Sequence, residues 1–194
     1  MELSPRFDQA LLLASDLHRR QGRKGSQTPY FAHLMAVTAL VLENGGDEDT
    51  AIAALLHDAV EDQGGAPTLA LIAERFGPRV AAIVEACSDC DSQPKPPWRA
   101  RKEAYLAHLE TAAPEARLVS AADKLHNARS LLRDYGLVGE DLWSRFRGGG
   151  REGTLWYYHA CAEVLGRLGP WPLADELTAT VARLDALIAA ATRP

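Results

Sequence analysis

Apolar residues recur at three- and four-residue spacing from one end of the chain to the other, and no useful run alternates with the two-residue period of a half-buried strand. That pattern leaves little but an all-α fold. After Pro5, the residues Phe7, Ala10, Leu11, Ala14 and Leu17 predict a helix to about Arg20, with proline in a first turn where its missing N–H is not needed. Gly22 to Thr28 is then a polar loop. A second helix follows Pro29, carries Phe31, Leu34, Met35, Val37, Val41 and Leu42, and stops at Asn44-Gly45-Gly46. The third opens at Asp47 to Asp49 and runs through Ile52, Leu55, Leu56 and Val60 to a break at Gly64-Gly65.

Two short helices are expected next, from Thr68 to Phe76 and from Pro78 to about Ala86, separated by Gly77. Ser88 to Pro97 reads as a surface loop by composition, and Trp98 to Leu109 resumes the helical pattern. Pro114 begins a long helix expected to end near Asp134-Tyr135-Gly136. Gly148-Gly149-Gly150 reads as a mobile stretch, followed by helices over about Thr154 to Leu168 and Pro172 to Ala191.

A length of 194 residues suits one domain spanning 1–194, with a core of its own. The formal net charge is −5 and the basic residues are dispersed, so a nucleic acid polymer is not an expected partner. A small anion remains open to a local group of Arg and Lys. No segment approaches the roughly 18 apolar residues of a membrane span, and no leader pattern precedes Phe7, so the expected location is the cytoplasm with no membrane partner. Cys87 and Cys90 have no second pair downstream to complete a zinc site and read as two residues on one helix face; Cys161 stands alone.

The chemistry concentrates in Leu55-Leu56-His57-Asp58-Ala59-Val60-Glu61-Asp62. On a continuous helix His57 would share a face with Glu61, and Asp58 with Asp62. Imidazole and carboxylate together suit a borderline divalent ion such as manganese, iron or zinc. Taken alone, Glu61-Asp62 would be a solvated acidic helix end, although acidic residues there oppose the helix dipole. His33 and Asp123 lie among apolar neighbours on two other helices. Singly, His33 would be a core histidine, and Asp123 would pair with Lys124 or Arg129.

Arg23-Lys24 with Pro29-Tyr30-Phe31-Ala32-His33, then Ala54 to Asp62, then Ala122-Asp123-Lys124-Leu125-His126-Asn127 together resemble the hydrolase domain of the RelA/SpoT family. The match covers about residues 6–168 with every motif in order, and the lack of a following synthetase resembles the stand-alone small alarmone hydrolases. The resemblance implies an HD-domain helical bundle of about eight to ten helices with a central metal-binding cleft. It implies that His33, His57, Asp58 and Asp123 hold one divalent ion, usually Mn2+. Glu61 and Asp62 would be the catalytic acid/base pair. Arg23, Lys24 and Asn127 would bind the nucleotide, Arg23 packing on its base. The implied reaction is hydrolysis of the 3′-pyrophosphate of a small-molecule nucleotide of the (p)ppGpp type.

Adenine counterparts of the (p)ppApp type, a nicotinamide dinucleotide phosphate, and a non-catalytic alarmone sensor are the alternatives. The sequence departs from the family's common pattern at Gly25-Ser26-Gln27-Thr28, at Leu34 and in the Gly148–Gly150 segment. Arg99, Arg101 and Lys102 could reach a terminal phosphate or form a solvated helix start. Oligomeric state is open.

Overall fold

The computed structural model describes residues 2–89, 95–168 and 172–191. It is all helical apart from turns, one 3-10 helix and a single bridge between Gly22 and Pro29. The helices are α1 Pro5–Leu17, α2 Phe31–Glu43, α3 Glu48–Leu56, α4 Ala59–Asp62, α5 Ala66–Phe76, α6 Pro78–Cys87, α7 Trp98–Thr111, α8 Pro114–Val138, α9 Gly150–Arg167 and α10 Pro172–Ala191. The 3-10 helix spans Gly139–Arg145, between α8 and α9. None of the described helices is long and apolar enough to cross a membrane.

The chain divides into two compact units, one made of Met1–Pro96 and Thr111–Ala122, the other of Pro97–Glu110 and Asp123–Pro194. In the first, every residue of α3 from Thr50 to Leu56 is buried. A helix apolar all round has no solvent face, and α3 accordingly lies at the centre, packed by α1, α2 and α6. Asp47 caps it, its carboxylate accepting from the Thr50 backbone N–H at 2.9 Å. The start of α1 is tied down by Arg6, which donates to Asp49 at 2.9 Å and to the Phe76 carbonyl at 2.8 Å.

The expected third helix is two helices. α3 stops at Leu56 and α4 begins at Ala59, with Asp58 between them at φ −96°, ψ −3°. The cause is local. In an unbroken helix the Ala54 carbonyl would accept from the N–H four residues on, that of Asp58. Here the His57 ring nitrogen Nδ1 lies 2.8 Å from that carbonyl. The face pairing expected of His57 with Glu61 therefore does not rest on an unbroken helix, whereas Asp58 and Asp62 keep the helical spacing, the Asp62 N–H donating to the Asp58 carbonyl at 3.0 Å.

In the second unit, Leu131, Tyr135, Leu142, Trp143, Leu184 and Ile188 form a core between α8, the 3-10 helix and α10. α8 runs on through Gly136 and ends against Gly139, whose φ of +57° suits glycine and stops the helix. Gly136 was the wrong stop signal because it lies inside the helix. α1 ends at Leu17, three residues short of the expected Arg20, whereas α10 has the expected bounds.

The Gly-rich segment, expected to be mobile, is a seat for Trp98. A Cβ on Gly148 would fall 2.7 Å from the Trp98 ring, and one on Gly149 2.8 Å from it. The ring in turn meets Trp156 and Tyr157 edge-on at centroid distances of 6.3 and 6.2 Å. Gly148→Ala is therefore expected to destabilise the protein by about 1–3 kcal/mol through overpacking. Gly166→Ala, in the exposed last turn of α9 with no atom within 4 Å of the new Cβ, should instead be neutral or stabilise by up to about 0.5 kcal/mol. Equal melting temperatures for the two variants would contradict this packing account.

Candidate metal centre and acidic pair

The first unit gathers three groups of one kind of chemistry. His33 enters from the first turn of α2, His57 from the end of α3, and Asp58 from the α3–α4 junction. One ligand atom from each lies within 4.8 Å of the other two, and both imidazoles are buried. Because a carbonyl can only accept, the contact of His57 Nδ1 with Ala54 places a proton on Nδ1, so in the neutral ring Nε2 carries the lone pair. That Nε2 lies 3.0 Å from Asp58 Oδ2, and His33 Nε2 lies 3.6 Å from the same oxygen.

Lone pairs of a nitrogen and a carboxylate face each other across that short gap. Such an arrangement calls for a cation between them, and an imidazole oriented from its far nitrogen by a backbone carbonyl is the usual form of a metal-binding histidine. The residues present therefore fit a divalent ion, with nitrogen and oxygen donors of the expected type.

Tyr30 supports this group from below. Its hydroxyl donates to Asp58 Oδ2 at 2.5 Å, and its ring meets that of His33 edge-on at 5.4 Å. His33 and His57 are themselves edge-on at 5.4 Å. Tyr30 stands three residues before His33 at the foot of α2, and its place within the run Pro29 to His33 was the signal that could have marked it.

Glu61 and Asp62 lie on the single turn of α4, directly after the group. Glu61 pairs at 3.2 Å with Lys95, a partner that the sequence did not single out. Asp62 lines an open cavity of about 410 Å³ with Leu17, Arg20, Gln21 and Gln63. Although Asp62 is exposed at this rim, the protein around its carboxyl withdraws enough water to raise its pKa above the usual value. The hydrogen bond from Gln21 opposes that rise, and the charges of Asp58 and Glu61 add to it.

Arg23 lies in the same unit, its guanidinium 5.6 Å from the centroid of the Tyr30 ring, while Lys24 is exposed on the loop. The Gly22–Pro29 loop is closed by an Arg23 N–H bond to the Thr28 carbonyl at 2.9 Å.

Asp123 and Asn127 belong to the second unit. Asp123 is buried on α8, and its carboxylate accepts from Lys124 at 2.6 Å and from Asn127 at 2.5 Å. Burial alone would push the Lys124 ammonium down, but Asp123 holds it well above its usual pKa. Arg99 stacks on Trp156 at 3.2 Å and donates to Glu103, and Lys102 lies 5.0 Å from the Tyr157 ring. Burial pushes the Cys161 thiol up to about 11, which keeps it protonated and inert. Cys87 closes α6, with its sulfur 3.8 Å from the Ala116 carbonyl, whereas Cys90 lies outside the described residues.

A helical unit with a His, His-Asp group and an adjoining acidic turn defines a class. The family model described as "HD domain" matches residues 10–155, and the chain belongs to that family. It is 40% identical over 134 residues to the guanosine-3′,5′-bis(diphosphate) 3′-pyrophosphohydrolase MESH1 of Xenopus tropicalis, covering 65% of this chain and 72% of that protein. The human MESH1 is 38% identical, with 63% and 70% covered. The bifunctional (p)ppGpp synthase/hydrolase SpoT of Escherichia coli is 36% identical over 65% of this chain but only 18% of its own length.

Among solved structures, one described as a metazoan ortholog of SpoT that hydrolyzes ppGpp shares the fold, with a TM-score of 0.69 over 99% of this chain and 98% of that one at 23% identity. A Listeria monocytogenes protein matches with a TM-score of 0.67 at 29% identity, over 77% of this chain and 96% of its own.

Proposed function

We propose that the protein is a metal-dependent phosphohydrolase that removes pyrophosphate from the ribose 3′ position of an alarmone nucleotide, with (p)ppGpp as the leading substrate. The observation that carries this reading is the convergence of His33, His57 and Asp58 next to the acidic turn Glu61-Asp62. The relatives named above as 3′-pyrophosphohydrolases support it. Asp123 serves as the fourth ligand in this reading, and manganese as the ion. The whole span 1–194 acts as one catalytic module in the cytoplasm.

A divalent ion bound there lowers the pKa of water and screens the charge of a diphosphate. The protein's own groups do the rest. His33, His57 and Asp58 hold the ion, with Tyr30 fixing the Asp58 carboxylate through its hydroxyl. Water attacks the phosphorus next to the ribose O3′, the bond from O3′ to that phosphorus breaks, and pyrophosphate leaves with the oxygen of the water. One proton must leave the water and one must reach O3′. Asp62, with its raised pKa, and Glu61, on the turn that follows the ligand group, are the acidic groups suited to these transfers. Arg23 offers a planar cation to the base and Lys24 a charge to phosphate, and Asn127 completes the nucleotide contacts.

A panel of ppGpp, ppApp and NADPH, each incubated with protein loaded in turn with manganese, zinc or magnesium and resolved by ion exchange, tests substrate and ion together. The expected result is fastest conversion of ppGpp with manganese. Faster loss of ppApp or of NADPH phosphate would overturn the guanine assignment, and greater activity with zinc or magnesium would overturn the choice of ion.

A further inference from the structure

Gln21 lies outside the ligand and acid/base motifs, in the turn after α1, and all of its polar groups are engaged within the first unit. Its backbone N–H donates to the His18 carbonyl at 3.0 Å, and its own carbonyl accepts from the Tyr30 N–H at 2.9 Å. Its side-chain oxygen lies 2.6 Å from His18 Nδ1 and accepts from Gln63 Nε2 at 2.6 Å. Its side-chain nitrogen donates to Asp62 Oδ2 at 2.7 Å.

With Asp62 ionised, this network admits one orientation of the amide. A carboxylate can only accept, so the NH2 end must face Asp62. With Gln21 reversed, its NH2 would confront the donors of Gln63 and His18, and its oxygen would confront the Asp62 carboxylate. The same reasoning sets the tautomer of His18, whose Nδ1 must carry the proton. Burial lowers the pKa of His18, in keeping with a neutral ring, and Tyr30 stacks on it at 5.3 Å with planes 16° apart. The Tyr30 side chain that supports Asp58 thus also holds the imidazole that orients Gln21.

We propose that Gln21, locked by His18 and Gln63, is a positioning residue that aims the Asp62 carboxylate for proton transfer. The proposal rests on the reading of Asp62 as an acid/base group. The adjoining cavity leaves Asp62 open on one side, and the Gln21 amide restrains its carboxylate by a direct hydrogen bond.

Gln21→Met keeps the length of the side chain and removes both amide ends. Its kcat should fall by about 10- to 100-fold, the effect of losing one hydrogen bond to a charged group, with KM within about threefold of wild type and metal content unchanged. Gln21→Glu keeps the shape but sets a carboxylate against Asp62, and should lose at least as much. In an Asp62→Ala background there is no carboxylate to aim, so adding Gln21→Met should change kcat by less than about threefold.

Wild-type kcat in both Gln21 variants would overturn the proposal, as would a full multiplicative loss on top of Asp62→Ala. Wild-type turnover in Asp62→Ala itself would instead refute the acid/base reading, so the two failures are told apart.

Discussion

Replacing His57 with alanine is expected to strip the divalent ion and abolish turnover, the largest effect of any single change at the site. The imidazole is fixed from behind by the Ala54 carbonyl and presents Nε2 beside Asp58, so its removal deletes a preoriented donor that no neighbouring side chain replaces in kind. A secondary loss of thermal stability should follow, because an ion present at 100 times its dissociation constant stabilises by about 2.7 kcal/mol and the variant forgoes that linkage. The metal-linked part of the stability difference should vanish when wild type is stripped with chelator, leaving only the cost of the lost buried imidazole and its contact with the Ala54 carbonyl. Elemental analysis of purified His57→Ala checks the first point; a full equivalent of metal per chain would remove His57 from the ligand set.

The second large effect separates chemistry from metal binding. Glu61→Gln and Asp62→Asn keep shape and most hydrogen bonding while removing basicity, so turnover should fall by roughly 10²- to 10⁴-fold with the ion retained. Glu61 also pairs with Lys95, and part of its effect should come from freeing that ammonium. Near-normal kcat in both variants would contradict the acid/base assignment. Metal loss in either would make that carboxylate a ligand.

Much of this was legible in the sequence where one local rule dominates. α10 begins at Pro172 and carries an unbroken apolar period, and its bounds came out as expected. The grouping of His33 with His57 and Asp58 was likewise readable from the motifs and the family they resemble. The α3–α4 break was not, because periodicity carries no sign of the contact that the His57 side chain makes with the Ala54 carbonyl there.

Gly136 and Gly139 carry the same stop signal, and the one used is Gly139, where the backbone turns to φ +57°. Gly136 sits where a Cβ would come within 3.9 Å of Leu187. The role of Gly148 and Gly149 depends on Trp98, some fifty residues away, and composition alone suggested mobility. Tyr30, Gln21 and Lys95 were missed as site residues for a common reason. Each reaches its partner through a loop closure that brings together residues 28 to 41 positions apart, and no periodicity reports such contacts.

The central claim is catalytic release of pyrophosphate from a 3′-diphosphate by a metal-loaded site. The most direct test is quantification of both products from ppGpp incubated with manganese-loaded protein, in substrate excess, with and without chelator. One GDP and one pyrophosphate should appear per nucleotide consumed, over many turnovers per chain, and both should cease with chelator. Release of orthophosphate, consumption that stops at one nucleotide per chain, or turnover indifferent to chelator would contradict the account.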